Sequence, residues 1–227
     1  MKLLAVDTST IVCNVCVLND GAVDAEYVSR STVTHTERLM PAIETLFASL
    51  PWKIHELDAL AVIHGPGSFT GLRISLSVIK GLGFALQIPV IPANALEVAA
   101  HQVDDAVLIS PMMDARRGEI FTCLLERKEG ALKMLIPPKS VRPELWRQEL
   151  PNASITFCGP GVDLYFDAVP DVKREAPFRE FTLARTLAFL AQQRFAEGEA
   201  INSADLKAAY LRPSDAEVKG PQPLRHR

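Results

Sequence analysis

The chain is short of several things that would assign it a trade at once. No stretch of its 227 residues approaches the ~18 consecutive apolar residues of a membrane span. Four cysteines, at positions 13, 16, 123 and 158, are too few and too scattered for a disulfide scaffold. Cys13 and Cys16 form a CxxC, but residues 11–18 read as a strand, on which positions three apart point to opposite faces; buried thiols are expected rather than a redox or zinc pair. Histidines at 35, 55, 64, 101 and 226 make neither HExxH nor HxxxH, so no single helix supplies a metal site. An excess of positive charge is missing too. With 24 basic and 27 acidic residues the net charge is −3, and any RNA contact must be local or borrowed from a partner. Asp7 follows Met1 too closely for a signal peptide, which predicts a cytoplasmic protein with no membrane partner.

What is present describes a globular α/β chain, 48% hydrophobic and 22% charged. Residues 3–6 form an apolar run that ends at Asp7-Thr8-Ser9-Thr10. A second run, 13–18, is joined through Asn19-Asp20-Gly21 to a third, 22–29, and Asp-Gly between strand-like runs predicts a hairpin. Leu39, Ile43, Leu46, Phe47 and Leu50 recur at helical spacing over 37–50, with Pro41 tolerable only in the first turn. Residues 58–63 predict a buried strand, His64 to Gly71 a glycine turn, 72–87 a helix, 88–92 a strand, and 94–102 a helix capped by Asn94. The order then starts over. Residues 107–112 lead to Asp114-Ala115-Arg116-Arg117-Gly118, strands follow at 119–126 and 132–136, and a strand at 154–158 runs into Gly159-Pro160-Gly161, echoing Gly65-Pro66-Gly67. Two lobes of βββαβα type are expected, at 1–103 and, shortened, 104–213. An amphipathic helix is expected at 181–197 and a mobile tail at 214–227.

Candidate chemistry is sparse. Gly65, Gly67 and Gly71 are spaced GxGxxxG, one residue too long for a dinucleotide fingerprint, and no Lys-Ser/Thr follows as in a P-loop. The segment reads as a tight turn, with an anion at the free amides of the next helix as the alternative. Ser9 and Ser68 lack a GxSxG elbow. Asp114, Arg116 and Arg117 mark a charged hairpin tip, either solvated or a phosphate or partner contact. The helix at 72–86 is apolar around most of its girth. Leu72, Leu76, Ile79, Gly83 and Leu86 line one face, Ile74, Val78, Gly81 and Ala85 another, and only Arg73, Ser77, Lys80 and Gln87 mark a polar stripe. Such a helix is covered on two sides, by the core alone or by the core and a docked protein.

Four segments together resemble a known family: the opening strand with Asp7-Thr8-Ser9, the run Gly65-Pro66-Gly67-Ser68-Phe69-Thr70-Gly71-Leu72-Arg73, Met113-Asp114-Ala115-Arg116-Arg117-Gly118-Glu119, and Tyr210-Leu211-Arg212. They are similar to the bacterial TsaB (YeaZ) family. That resemblance implies an ASKHA-type fold, the actin, Hsp70 and sugar-kinase architecture. It also implies a role in making N6-threonylcarbamoyladenosine at position 37 of tRNAs that read ANN codons. In that family the chain is a non-catalytic paralogue and partner of the catalytic subunit TsaD, which binds metal through two histidines on one helix; here the matching region has His35, with Leu39 at the second place. The resemblance implies no catalytic residues, cofactor or metal of its own. The TsaE ATPase is a further partner, a homodimer forms when the chain is alone, and tRNA is met only through the complex.

The expected docking surface combines the helices at 37–50 and 72–86, with Leu39, Ile43, Arg73, Leu76, Ser77 and Lys80 in the interface. Asp7, Thr8, Ser9, Asp114, Arg116 and Arg117 are the candidates for a nucleotide or anion contact. The alternative class is an active small-molecule kinase or peptidase of the same fold. A kinase would want a glycine in its phosphate hairpin, and Asp7-Thr8-Ser9-Thr10 has hydroxyls but none.

Overall fold

The computed structural model describes residues 1–165, 173–174 and 183–212. Strands β1 (Lys2–Asp7), β2 (Val12–Asn19) and β3 (Ala22–Arg30) form the expected antiparallel meander. The Asp20-Gly21 turn has φ of 47° and 80°, the two positive values that a two-residue hairpin requires. Helix α1 (His35–Ser49) follows, then β4 (Ala59–Gly65), α2 (Phe69–Leu86), β5 (Val90–Asn94) and α3 (Ala95–His101). Asn94 caps α3 as expected, its Oδ1 accepting from the Leu96 amide at 2.9 Å. The first sheet runs β3-β2-β1-β4-β5, with β4 parallel to β1 and β5 parallel to β4.

The second half repeats this plan. Strands β6 (Leu108–Arg116), β7 (Glu119–Lys128) and β8 (Ala131–Val141) make a second meander. Helix α4 (Pro143–Glu149), β9 (Ile155–Cys158), α5 (Gly161–Tyr165) and β10 (Lys173–Arg174) follow. Its order, β8-β7-β6-β9-β10, matches the first sheet strand for strand, with the same parallel pairings. This is the duplicated ASKHA-type α/β arrangement, with α4 and α5 shorter than α1 and α2. The resemblance between the two Gly-Pro-Gly turns is physical. A Cβ at Gly67 would stand 2.6 Å from the Ser9 carbonyl oxygen, and one at Gly161 would stand 2.9 Å from that of Met112, so each turn presses on backbone at or near the end of the first strand of its own sheet.

Several boundaries differ from expectation. Helix α1 starts two residues early because Thr34 and Glu37 form a capping box, the Thr34 Oγ1 and amide donating to the Glu37 carboxylate at 2.8 and 3.2 Å. Pro41 therefore lies inside the helix, past the first turn. Strand β8 continues through Pro137-Pro138, which fall at an irregularity in its pairing with β7, between the Thr122–Lys139 and Leu124–Ile136 pairs, on the edge of the sheet. Helix α4 was not expected; it begins with Pro143 and buries Trp146, whose Nε1 donates to the Ser110 hydroxyl at 2.9 Å.

The expected second lobe, 104–213, does not stay together. Helix α6 (Leu183–Ala196) packs on β1, β2, β4 and β5 of the first sheet, opposite the face covered by α1 and α2. Ile201 then bridges to Val90, and the Ala209 amide donates to the His64 carbonyl at 2.8 Å. The first lobe is thus completed by 183–212. Residues 181–182 of the expected helix and the tail 214–227 lie outside the described residues. Leu183, Leu187 and Leu190 join the main core, which also takes Ile109, Met113, Phe121 and Cys123 from the second sheet. A smaller core around Trp146 and Phe157 fills the far side of that sheet. None of the four cysteines is in a disulfide and all are buried; burial pushes the Cys13 thiol to about 11 and those of Cys16 and Cys123 to about 12. Helix α2 has the length and hydropathy of a membrane span among the described residues, yet one side of it is fixed on β4 and β1.

Candidate functional site

An open cleft of roughly 720 Å³ lies where the two meanders face each other. Both first strands end in the same local device. The Asp7 Oδ1 accepts from the Ser9 amide at 2.8 Å, and the Asp114 Oδ1 accepts from the Arg116 amide at 2.8 Å. An Asp that bonds the backbone two residues on turns the chain sharply, so each strand bends away at the cleft. Asp114 also accepts from the Tyr165 hydroxyl at 2.9 Å; burial, and then that bond, hold the Tyr165 phenol above its ordinary range.

Of the six anion candidates, Ser9, Asp114 and Arg116 line the cleft. Asp7 and Thr8 do not: both are fully buried, and the Thr8 Oγ1 donates to the Gly71 carbonyl at 2.8 Å, tying β1 to α2. Arg117 sits on the exposed β6–β7 turn and is not a cleft residue. Arg116 and Arg117 have φ of 65° and 58°, a left-handed pair without glycine, which is strained backbone.

His35 lines the cleft with both nitrogens committed. Its Nε2 donates to the Thr10 carbonyl at 2.8 Å, and its Nδ1 accepts from Arg38 at 3.3 Å. Burial first, and then the neighbouring Arg38 charge, hold this imidazole below its usual pKa against the opposing Thr10 bond, so it stays neutral. Among the described residues no three His, Cys, Asp or Glu side chains cluster as a metal site. Arg38 itself was not foreseen. An arginine beside Leu39, on the side of an amphipathic helix that should be apolar, was the available signal.

The docking candidates separate by burial. Leu39 and Ile43 are 1% exposed and Leu76 is 7% exposed; all three belong to the core of this chain and are not available to a partner. Arg73, Ser77 and Lys80 are exposed. The face through Leu72, Leu76, Ile79 and Gly83 points inward. The opposite side presents Ser77, Gly81, Ala85 and Phe84, the last 74% exposed, flanked by half-buried Ile74 and Val78. Arg73 has a structural duty too, since it stacks 3.8 Å from the Phe69 ring and donates to the Tyr210 hydroxyl at 3.1 Å. Tyr210 lies 4.8 Å from Phe69, and Arg212 reaches Glu119 of the second lobe at 3.6 Å, so the Tyr210-Leu211-Arg212 segment forms one wall of the cleft.

Comparison with known proteins gives a consistent answer. The family model described as "TsaD: tRNA N6-adenosine threonylcarbamoyltransferase" matches residues 28–216. The "tRNA threonylcarbamoyladenosine biosynthesis protein TsaB" of Bacillus subtilis is 32% identical, over 96% of this chain and 97% of its own length. The protein of that name from Escherichia coli is 29% identical over 97% and 99%. A solved structure, "YeaZ from Pseudomonas aeruginosa", superimposes with a TM-score of 0.81 at 29% identity, covering 92% of this chain and 99% of the other. With the duplicated sheets, the paired Asp turns and full-length relatives of one name, the chain belongs to the TsaB family.

Proposed function

We propose that this protein acts in the formation of N6-threonylcarbamoyladenosine at position 37 of tRNAs reading ANN codons, as a non-catalytic cytoplasmic partner that docks on the TsaD paralogue and holds it in its active state. TsaE supplies turnover in this scheme, and tRNA is gripped mainly by the partner, in keeping with a net charge of −3 here. The observation that carries the reading is the outer side of α2. A Cβ at Gly81 would meet nothing within 4 Å, so this chain's own packing does not demand the glycine, and the exposed Phe84 lies on the same side. Small residues beside an exposed aromatic let a second helix approach closely around a buried anchor. A second copy of this chain covers the same side when TsaD is absent. Both His35 nitrogens are engaged, by the Thr10 carbonyl and by Arg38, which supports reading this imidazole as a structural group of the cleft.

A docked partner raises activity only through binding that differs between the partner's states. Phe84→Glu and Gly81→Glu place a charge on the outer side of α2 without touching the core. Each is expected to leave the circular dichroism spectrum of the isolated chain unchanged while rendering it monomeric, and to weaken TsaD binding by about 2 kcal/mol or more, roughly 30-fold. Modification by the mixture should fall to the level of TsaD and TsaE without this protein. Co-purification of both variants with TsaD at wild-type yield overturns the assigned surface. Threonylcarbamoyl transfer by the chain alone would show that it is an enzyme.

A further inference from the structure

The outer side of α2 carries one residue that apolar docking does not call for. Arg73, Ser77, Lys80 and Phe84 stand at i, i+4, i+7 and i+11, within about 60° of one another around the helix. That is the spacing of a seam along which one helix packs on another. All four are exposed. Arg73, at one end, is occupied with the Phe69 ring and the Tyr210 hydroxyl, and Phe84, at the other, offers apolar area. Lys80 lies between them, directly before the open Gly81. Among the described residues no carboxylate pairs with it, and α2 itself contains neither Asp nor Glu.

A charge inside a seam costs affinity unless the facing helix answers it, and that cost selects partners. When a second copy packs its α2 on this one with the closest approach at Gly81, the two-fold axis sets each nearby residue against itself. Lys80 then faces Lys80. Helix axes at such contacts are ~8–10 Å apart, which leaves the two ammonium groups within about one screening length in ordinary salt. Their repulsion opposes the apolar gain at Phe84. A facing helix that puts a carboxylate at this place turns the same lysine into an attraction, strengthened because the contact excludes water. The neighbouring α1 shows the other sign, since its exposed charges are Glu37 and Glu44. A two-fold that laid α1 of the copy on α2 would satisfy Lys80, but the open small residue and the aromatic anchor both stand on α2, which shapes that helix to meet its own copy.

We propose that Lys80 makes this face selective: it holds back the pairing of two copies through α2 and favours a partner helix that presents a carboxylate to it. The inference rests on the docking surface assigned above and adds the chemistry of its occupant, an acidic helix of TsaD rather than a second α2. Self-association then stays weak enough for the partner to displace it, with no separate switch.

The test uses the full chain and purified TsaD. Sedimentation equilibrium gives the homodimer Kd and calorimetric titration the Kd of the TsaD complex, for the wild type, Lys80→Gln and Phe84→Glu, each checked for an unchanged circular dichroism spectrum. Lys80→Gln is expected to tighten the homodimer about 5-fold and to weaken the TsaD complex about 5-fold. Raising the salt from ~0.05 M to ~0.5 M should move the two constants of the wild type in the same opposed senses and leave those of Lys80→Gln nearly still. The proposal is overturned if Lys80→Gln does not shift the two constants in opposite directions; weakening of both is the result for α1 of the copy lying on α2. It is equally overturned if the wild type and Lys80→Gln are both monomeric up to ~0.5 mM. Phe84→Glu keeps the two readings apart. Loss of TsaD binding in that variant, with no effect of Lys80→Gln, removes the charge selection and leaves the surface, whereas full TsaD binding by Phe84→Glu removes the surface and the selection with it.

Discussion

Gly71 and Gly81 lie on the same helix, yet a Cβ at Gly71 would stand 2.0 Å from the Thr8 carbonyl oxygen while one at Gly81 would meet nothing. Gly71→Ala must push β1 and α2 apart and is expected to cost about 1–3 kcal/mol. Gly81→Ala should stabilise by about 0.5–1 kcal/mol, because it removes only backbone freedom from a helix interior. Urea midpoints of the two variants should move in opposite directions. The sequence marks both positions as small without telling them apart, since the difference lies in what another strand brings near. The imidazoles follow a similar logic. His35, His64 and His101 all have their pKa lowered from 6.5, with burial the largest cause. The unfolded chain then binds more protons than the folded one below the ordinary histidine value, so stability is fully present above it and is lost as pH falls. The urea midpoint is expected to drop between about pH 7.5 and about pH 5.5, and a flat midpoint would contradict the burial of these rings.

At the scale of elements, α1 carries an interior proline that no neighbour requires. Pro41 is exposed, and it leaves the Glu37 carbonyl without its helical donor. Pro41→Ala should stabilise the protein by about 1–3 kcal/mol in urea unfolding, and a destabilisation would mean that a bend at this point is needed for packing on β2 and β3. The strands and their order were legible because each lobe opens with an Asp-terminated strand and turns at an X-Gly pair. Period-two apolar runs and two Gly-Pro-Gly turns complete the pattern. The rotation of α2 was not legible. When both Leu72-Leu76-Ile79-Gly83 and Ile74-Val78-Gly81-Ala85 are apolar or small, the pattern cannot say which series meets β4, and Leu76 was placed on the outside for that reason. The cleft was half legible: Ser9, Asp114 and Arg116 are polar residues at strand ends, whereas Arg38 hides in a helix whose other contacts are apolar.

The whole molecule is less modular than its repeat suggests. Sheet β3-β2-β1-β4-β5 has α1 and α2 on one face, but its other face is closed by α6, encoded after the entire second meander. An amphipathic pattern announces that a helix has an apolar side, but not which sheet it will meet, so the lobe boundary read from the sequence failed there. Residues 1–103 expressed alone are expected to give an aggregating or molten species. The same fragment joined by a flexible linker to 183–212 should regain a cooperative unfolding transition, and cooperative folding of 1–103 unaided would refute the role given to α6. The position of α6 also has a consequence in time. Synthesis proceeds from the N-terminus at ~5–20 residues per second, so the five strands complete at Asn94 wait roughly 5–20 s before Leu183 and the rest of α6 are made. Throughout that interval a newborn chain carries a sheet with one bare apolar face, which makes the nascent protein a client for whatever shields such surfaces at the ribosome.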